Sequence, residues 1–225
     1  MGRDRPRAGH RPCGVSLKGL VVGGCDPAPV DLAAAARVIR EGGLVAFPTE
    51  TFYGLGANAL DPEAVERVFR AKERPAEKPL LVLVDSRAMV EMIALEIPIH
   101  ARTLIERYWP GPLTVILRAR PHVPSVVSAG TGTIGVRVSS HPVALALVRA
   151  AMLPITAPSA NTHGAPSPRT AAEVRSGLGT RLDLVLDGGR TPGGQPSTVV
   201  DATAEPMRVV RRGAIALTPE ELRGA

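Results

Sequence analysis

The sequence contains few aromatic residues, two cysteines and no long apolar segment. At 3% aromatic content, it offers little of the base-stacking surface that single-strand nucleic-acid binders use. Cys13 and Cys25 are too few, and too near the irregular start, for a disulfide framework or a zinc site. This favours a reducing, cytoplasmic location. No apolar run approaches the roughly 18 residues that span a bilayer, so we expect no membrane association.

Several catalytic signatures are also missing. The glycine-rich loop 188–194 lacks the G-K-[ST] ending of a P-loop, and Ser159 lies in neither a G-x-S-x-G elbow nor a Ser-x-x-Lys motif. No H-E-x-x-H or C-x-x-C occurs, so we expect no protein-built transition-metal site. GLGANA (54–59) superficially fits a dinucleotide fingerprint, but the next helical pattern begins only at Asp61, so the loop does not form a helix N-terminus for a pyrophosphate.

Positive charge is unevenly distributed along the chain. The formal net charge is +6, from 27 basic and 21 acidic residues. Five basic residues against one acidic residue give +4 within the first 18 positions, which leaves +2 for the rest. A polyanion site must therefore be argued from local clusters.

The pattern of elements predicts an α/β fold. Residues 1–29 are rich in Gly, Pro and Arg without periodicity; we expect a disordered basic tail, with a transit peptide as the alternative. The domain is expected over 30–217, with 218–225 as a C-terminal tail. Within the domain, apolar strand patterns alternate with helical patterns, which is typical of α/β layers. Strands are predicted at 44–48, 80–84, 113–119, 133–139, 154–157, 183–186, 197–201 and 207–211, and helices at 31–42, 61–72, 86–95, 99–108, 141–152 and 169–176.

The segment KERPAEKPL (72–80) places three cations between and around two prolines. Pro75 and Pro79 make a regular helix unfavourable, so the basic side chains sit on a stiff, non-helical backbone. Guanidinium and ammonium groups on such a loop suit a phosphate chain. A solvated charged surface is the alternative.

Three further segments carry polar side chains beside predicted strands. The loop 48–58 offers hydroxyl groups from Thr49 and Thr51, either for a substrate or for a structural turn. Arg137 lies in an apolar strand, where a lone charge is costly; it requires a carboxylate from Glu50 or from a substrate. The segment 156–167 provides hydroxyl and amide groups either for a ligand or for caps and turns.

Seven segments follow one another along the chain: PTETFYGLGANAL, KERPAEKPLLVLV, WPGPLTVIL, GTIGVRV, APSANTHGAPSP, STVVD and VVRRGAI. In this order and spacing they resemble the YrdC-like family, and within it the single-domain L-threonylcarbamoyladenylate synthases. The resemblance covers roughly residues 30–217 and implies a twisted, open, mixed α/β sheet with flanking helices and a concave basic cavity.

The resemblance implies an enzyme that joins L-threonine, bicarbonate and ATP into threonylcarbamoyl-AMP and pyrophosphate, with Mg²⁺ accompanying ATP. The product would serve other proteins that modify tRNA. In longer members a histidine stands where this chain has Leu83, so a threonine contact there is in doubt. The implied ATP-binding residues are Lys72, Arg74, Lys78, Thr133, Ser159, Asn161, Ser167 and Arg211, the first three catalytic; the implied threonine-binding residues are Thr51, Arg137, Ala157 and Ser197.

Two other functions remain open from the sequence. One is a module that binds tRNA or double-stranded RNA through the same basic cavity, without nucleotide turnover. The other is the related carbamoyl-transferring domain of hydrogenase maturation, which normally belongs to a longer chain with zinc-finger-like cysteines.

Overall fold

The structure is a computed structural model that describes residues 31–223. The expected tail, residues 1–29, lies outside the described residues, as do Val30, Gly224 and Ala225. The described helices are α1 (Leu32–Arg40), α2 (Pro62–Lys72), α3 (Arg87–Ile93), α4 (Ile99–Tyr108), α5 (Ser125–Ser128), α6 (Pro142–Ala151), α7 (Ala171–Leu178) and α8 (Pro219–Arg223). The strands are β1 (Val45–Pro48), β2 (Tyr53–Gly56), β3 (Leu81–Leu83), β4 (Leu113–Arg118), β5 (Thr133–Arg137), β6 (Ile155–Thr156), β7 (Leu184–Val185), β8 (Thr198–Asp201) and β9 (Arg208–Arg211).

Local sequence signals set the ends of α2. The Asp61 carboxylate accepts hydrogen bonds from the backbone N–H groups of residues 63 and 64, and Pro62 occupies the first turn, where its missing N–H costs nothing. The helix ends at Lys72, and Glu73 adopts a left-handed conformation with φ 51°. The chain then enters the proline-containing loop, residues 73–80, as predicted. The cations of this loop are therefore held at the end of a helix.

The strands form two mixed sheets, which confirms the predicted α/β class. The smaller sheet has the order β2-β1-β7, and the larger has the order β6-β3-β5-β4-β8-β9. Strand β5 lies inside the larger sheet, parallel to β3 and antiparallel to β4. Helices α1 and α6 pack against each other on the β1 side. Apolar side chains from both sheets and their helices form one buried core.

Strand β2 corrects the expectation that 48–58 is a loop throughout. Its backbone pairs with β1 on one side and approaches the 155–159 segment on the other. Leu55 N–H donates to Pro158 O at 2.7 Å, and Thr156 N–H donates to Ala57 O at 2.9 Å. A Cβ on Gly56 would come within 2.7 Å of Phe47 Cε1, so this strand needs glycine for close packing. The two sheets thus meet at β2.

The C-terminal residues also differ from expectation. Residues 219–223, predicted as part of a tail, form α8, which packs against α4. Tyr108 Oη donates to Glu221 Oε1 at 2.6 Å, and the Arg107 guanidinium lies 2.9 Å from the same oxygen. Met207 N–H donates to Leu222 O at 3.0 Å. These contacts attach the segment to the domain.

Among the described helices, none combines the length and the apolar character needed to cross a membrane.

Gly213→Ala is expected to destabilise the fold, because a Cβ there would lie 2.3 Å from Pro196 O and 2.5 Å from Ser197 C. These are backbone atoms that cannot turn aside, so we expect a loss of about 1–3 kcal/mol in the free energy of unfolding. Gly177→Ala is the matched control, since it meets open space within α7 and should gain about 0.5–1 kcal/mol. Denaturant unfolding of both variants measures this. Equal stability changes would contradict the packing at Gly213.

Candidate functional site

Lys72 is one of two almost fully buried cations of the predicted site, with Arg137. It is the last residue of α2, and only 2% of its surface is exposed. Its ammonium donates to Asn161 O at 2.6 Å and, through a very short contact, to Ser159 O. Burial, and then the neighbouring charge of Arg74, lower its pKa to about 8. Two of its three donors therefore hold the 159–161 segment, a contact that the phosphate-binding prediction did not include.

Arg74 forms two hydrogen bonds within the proline-containing loop. Arg74 Nε donates to Lys78 O at 3.2 Å, and Arg74 Nη2 donates to Pro79 O at 3.1 Å. Both bonds reach across the turn, so the guanidinium spans the loop. The Lys78 ammonium lies at the exposed rim, 2.9 Å from Nε2 of His163. His163 was not singled out from the sequence, because an exposed histidine in a loop has no pattern of its own.

Three arginines of the site, Arg74, Arg211 and Arg137, influence one another electrostatically in that order and are called the arginine row below. Burial lowers the pKa of Arg74, and the charge of Arg211 lowers it further. Burial likewise lowers the pKa of Arg211, and the charge of Arg137 adds to this effect. Each guanidinium therefore lies within electrostatic reach of the next. Like charges held together in this way stabilise a bound anion, because an anion relieves their repulsion.

Arg137 ends β5 and is 3% exposed. Its Nη1 lies 3.5 Å from Glu50 Oε1, beyond the usual hydrogen-bond range, while Ser139 Oγ donates to Glu50 Oε2 in a very short contact. Both Arg137 Nε and Glu50 Oε1 are buried and have no hydrogen-bond partner in the described structure. Burial lowers the pKa of Arg137, and Glu50 acts in the opposite direction. The protein carboxylate is thus present, yet Arg137 keeps unused hydrogen-bonding capacity.

Ser197 connects the nucleotide and threonine halves of the predicted site. Arg211 donates from Nη2 to Ser197 O at 2.8 Å and to Ser197 Oγ at 2.9 Å. Ser197 Oγ also lies 2.8 Å from Thr114 Oγ1. A Cβ on Gly135 would lie 3.3 Å from Thr114 Cγ2, so β4 and β5 present these positions on the same face.

Two threonine hydroxyl groups of the site, those of Thr51 and Thr133, have local partners. Thr49 Oγ1 donates to Phe52 O at 2.7 Å, so Thr51 is the donor in its 3.1 Å contact with Thr49. Thr131 Oγ1 donates to Ser128 O at 2.8 Å, so Thr133 is likewise the donor in its 2.8 Å contact with Thr131. These bonds leave the oxygens of Thr51 and Thr133 available as acceptors.

The 157–167 segment lies along β2 and the end of α2. Ala157 N–H donates to Leu81 O at 2.7 Å, so the backbone amide of this predicted threonine contact is already used. The side-chain nitrogen of Asn161 donates to Ala165 O at 2.7 Å, but its buried Oδ1 has no partner in the described structure. Ser159 pairs with β2 as an isolated bridge, and Ser167 precedes Pro168, whose carbonyl accepts from β2.

Leu83 is completely buried in β3 opposite Arg137. A separate cavity of about 250 Å³ lies elsewhere, and none of its lining residues belongs to the predicted site. Two of its arginines, Arg67 and Arg181, pair with Asp183 and Glu73 at 2.7 Å. We therefore regard that cavity as part of the scaffold.

The fold and site define a mixed α/β protein with a row of cations suited to an anionic ligand. The chain belongs to the Sua5/YciO/YrdC family, whose model, described as "Telomere recombination", matches residues 37–213. This confirms the family that the sequence motifs indicated.

Two relatives and one solved structure illustrate the similarity. The chain is 48% identical over 183 residues to the threonylcarbamoyl-AMP synthase of Pyrococcus abyssi, covering 81% of this chain and 54% of the relative. It is 44% identical over 185 residues to the protein of that name from Bacillus subtilis, covering 82% and 54%. The crystal structure of P. abyssi Sua5 complexed with L-threonine superposes with a TM-score of 0.79 at 48% identity, covering 81% of this chain and 54% of that one. The chain thus spans about half the length of these relatives.

Proposed function

We propose that the protein is an L-threonylcarbamoyladenylate synthase, a nucleotidyltransferase that converts L-threonine, bicarbonate and ATP into threonylcarbamoyl-AMP and pyrophosphate. The observation that carries this proposal is the buried Arg137 guanidinium, whose Nε has no partner in the described structure, on the strand that pairs with β3 directly after the proline-containing loop. The names of the two relatives support an enzyme of this kind over an RNA-binding module. The P. abyssi structure supports threonine as a substrate.

The nucleotide would bind beside Arg74 and the proline-containing loop, at one end of the arginine row. Arg74 would bind the phosphates through guanidinium nitrogens, which match phosphate oxygens in a planar fork. Lys78 would add a compact charge at the rim. Lys72 would contribute its charge and hold the 159–161 segment in place. Asn161 Oδ1 is a buried acceptor without a partner and would suit a donor group of the nucleotide. Thr133, Ser159, Ser167 and Arg211 complete the proposed nucleotide site.

Threonine would bind on the strand side. Arg137 has a buried Nε without a partner, and the threonine carboxylate supplies the acceptor it lacks. Thr51 and Ser197 would provide hydroxyl groups to the same ligand. Because Ala157 N–H is already bonded, only the carbonyl of that residue is proposed to face threonine, as an acceptor for its amine.

The proposed reaction requires no nucleophile from the protein. The threonine amine attacks carbon dioxide derived from bicarbonate and loses a proton, which gives a carbamate. A carbamate oxygen then attacks the α-phosphorus of ATP, and the bond to the β-phosphate oxygen breaks to release pyrophosphate. The protein's residues align the two substrates and stabilise the negative charge that accumulates on the phosphates.

Magnesium enters this proposal only as part of the Mg–ATP substrate. Among residues 31–223, no group of three or more His, Cys, Asp or Glu side chains is arranged to hold a metal ion. The cationic side chains around the proposed phosphate position cannot serve as ligands for Mg²⁺, which prefers oxygen atoms. The ion would therefore be held by phosphate oxygens and water. We further propose a cytoplasmic location, with tRNA-modifying proteins as users of the product.

The direct test is pyrophosphate release. The purified chain is incubated with Mg–ATP and bicarbonate, with and without L-threonine, and pyrophosphate is measured over time. We expect release that depends on threonine and a product with the mass of threonylcarbamoyl-AMP. Release independent of threonine, or no release, would contradict the proposal. Salt-sensitive binding of duplex RNA without turnover would instead support the RNA-binding alternative.

A further inference from the structure

The contact between Lys78 and His163 favours one protonation state of the imidazole. Lys78 Nζ lies 2.9 Å from His163 Nε2. An ammonium group has only donors, so Nε2 must accept and the ring proton must be on Nδ1. The imidazole is therefore neutral in this arrangement. The backbone is anchored as well, because His163 N–H donates to Lys72 O at 2.7 Å.

Among the described residues, the charged groups that shift the pKa of His163 are cations. Repulsion from Lys78 is the largest influence lowering the pKa of His163, followed by a small burial effect and then by Arg74 and Lys72. Lys78 and Arg74 belong to the proline-containing loop, and Lys72 is the end of α2. A fourth positive charge in the empty site would add to their repulsion, so the neutral ring is favoured there.

A bound polyphosphate would instead favour the protonated form of the His163 imidazole. Its several negative charges would lie among the same cations and would favour the charged form of a nearby imidazole. Protonation also converts Nε2 from an acceptor into a donor. The Lys78 ammonium would then turn from the ring to a phosphate oxygen, and both side chains would donate to the anion.

We propose that His163 is a further polyphosphate-binding residue, neutral in the empty site, that takes one proton from the solvent when a nucleoside triphosphate binds beside Lys78. The proton returns to the solvent when pyrophosphate leaves. This inference rests on the proposed function, because it assumes that the loop cations bind the phosphates of ATP.

The test measures proton uptake on nucleotide binding. A non-hydrolysable ATP analogue is titrated calorimetrically at pH 7 in buffers of different ionisation enthalpy, without threonine or bicarbonate. His163→Gln keeps an acceptor for Lys78 but cannot be protonated, and His122→Gln changes another exposed histidine, in the turn before α5. We expect the wild type and His122→Gln to take up roughly half a proton more per nucleotide than His163→Gln. Protons exchanged by the analogue itself cancel in this comparison.

A second measurement uses the wild-type protein alone. The imidazole resonance of His163 is titrated by NMR with and without the analogue, and its pKa should rise by about one unit or more on binding. Because binding raises the pKa of His163, affinity should fall as pH rises through the pKa values of the free and the bound protein, by about tenfold in total for each unit by which the pKa rises. The variant His163→Gln should lack this part of the pH dependence.

The outcomes separate this inference from the proposed function. If the wild type binds the analogue but takes up no more protons than His163→Gln, His163 is not the proton acceptor and the inference is overturned. An unchanged His163 titration in the complex would overturn it equally. If the wild type does not bind the analogue, the proposed function fails and this inference fails with it.

Discussion

Arg137→Ala is expected to lower kcat/KM for threonine by about 10²-fold or more, while the Kd for ATP changes by no more than about threefold. Arg137 is the buried cation of the site whose Nε has no partner, and it lies on the strand side of the arginine row. Removing it takes away the group proposed to bind the threonine carboxylate. The loop cations proposed to bind ATP stay in place. Steady-state kinetics with threonine varied, together with calorimetry of ATP binding, measure the two effects separately.

Two controls isolate the effect of Arg137. Arg102→Ala removes an exposed arginine from helix α4, away from the proposed site residues, and should leave both constants unchanged. Arg137→Lys keeps a positive charge opposite Glu50 but loses the planar fork, so it should recover only part of the threonine use. Since Arg137→Ala leaves the buried Glu50 carboxylate without its cation, thermal unfolding must show that the variant is folded at the assay temperature. Equal losses for threonine and ATP would contradict the assignment.

The elements could be predicted from sequence wherever one local signal was enough. Buried apolar runs located β1 and β3 to β5, and Asp61-Pro62 located the start of α2. Strand β2 was not recognised, because its two glycines resemble a loop. Gly56 is glycine because Phe47 and Ile155 pack against it, and Ile155 is distant in sequence. A contact between residues so distant in the sequence cannot be predicted from a single sequence.

Site residues were likewise predictable where a local sequence signal marked them, and not where they depend on contacts distant in the sequence. The cations of the 72–80 segment and Arg137 were identifiable, because prolines and an apolar strand make unusual settings for charge. The carboxylate near Arg137 was left open from sequence, and the structure shows Glu50 at 3.5 Å together with an Nε that no described residue satisfies. The structure thus supplies the protein carboxylate, and a substrate carboxylate at the unpartnered Nε stays a proposal. The burial of Lys72 depends on carbonyls 87 and 89 positions away, which only the folded chain brings together.

Lys72→Met is expected to destabilise the protein by about 2–3 kcal/mol and to loosen the 159–165 segment. The substitution leaves the Ser159 and Asn161 carbonyls without their donor, at a cost of roughly 1–3 kcal/mol each. Methionine avoids the cost of burying an ammonium, which offsets part of this loss. Denaturant unfolding gives the stability. The control is Arg70→Met, which changes an exposed cation two positions earlier on α2 and should alter stability by less than about 0.5 kcal/mol.

Hydrogen exchange distinguishes the two roles of Lys72. If the ammonium holds the segment, the amides of Ala160, Asn161 and His163 should exchange faster in Lys72→Met than in the wild type, with no nucleotide present. If Lys72 only binds phosphate, exchange in the unliganded protein should be unchanged and protection should differ only after ATP is added. Faster exchange without nucleotide, together with weaker ATP binding, would show that this lysine supports the phosphate site by positioning the segment that carries Ser159 and His163.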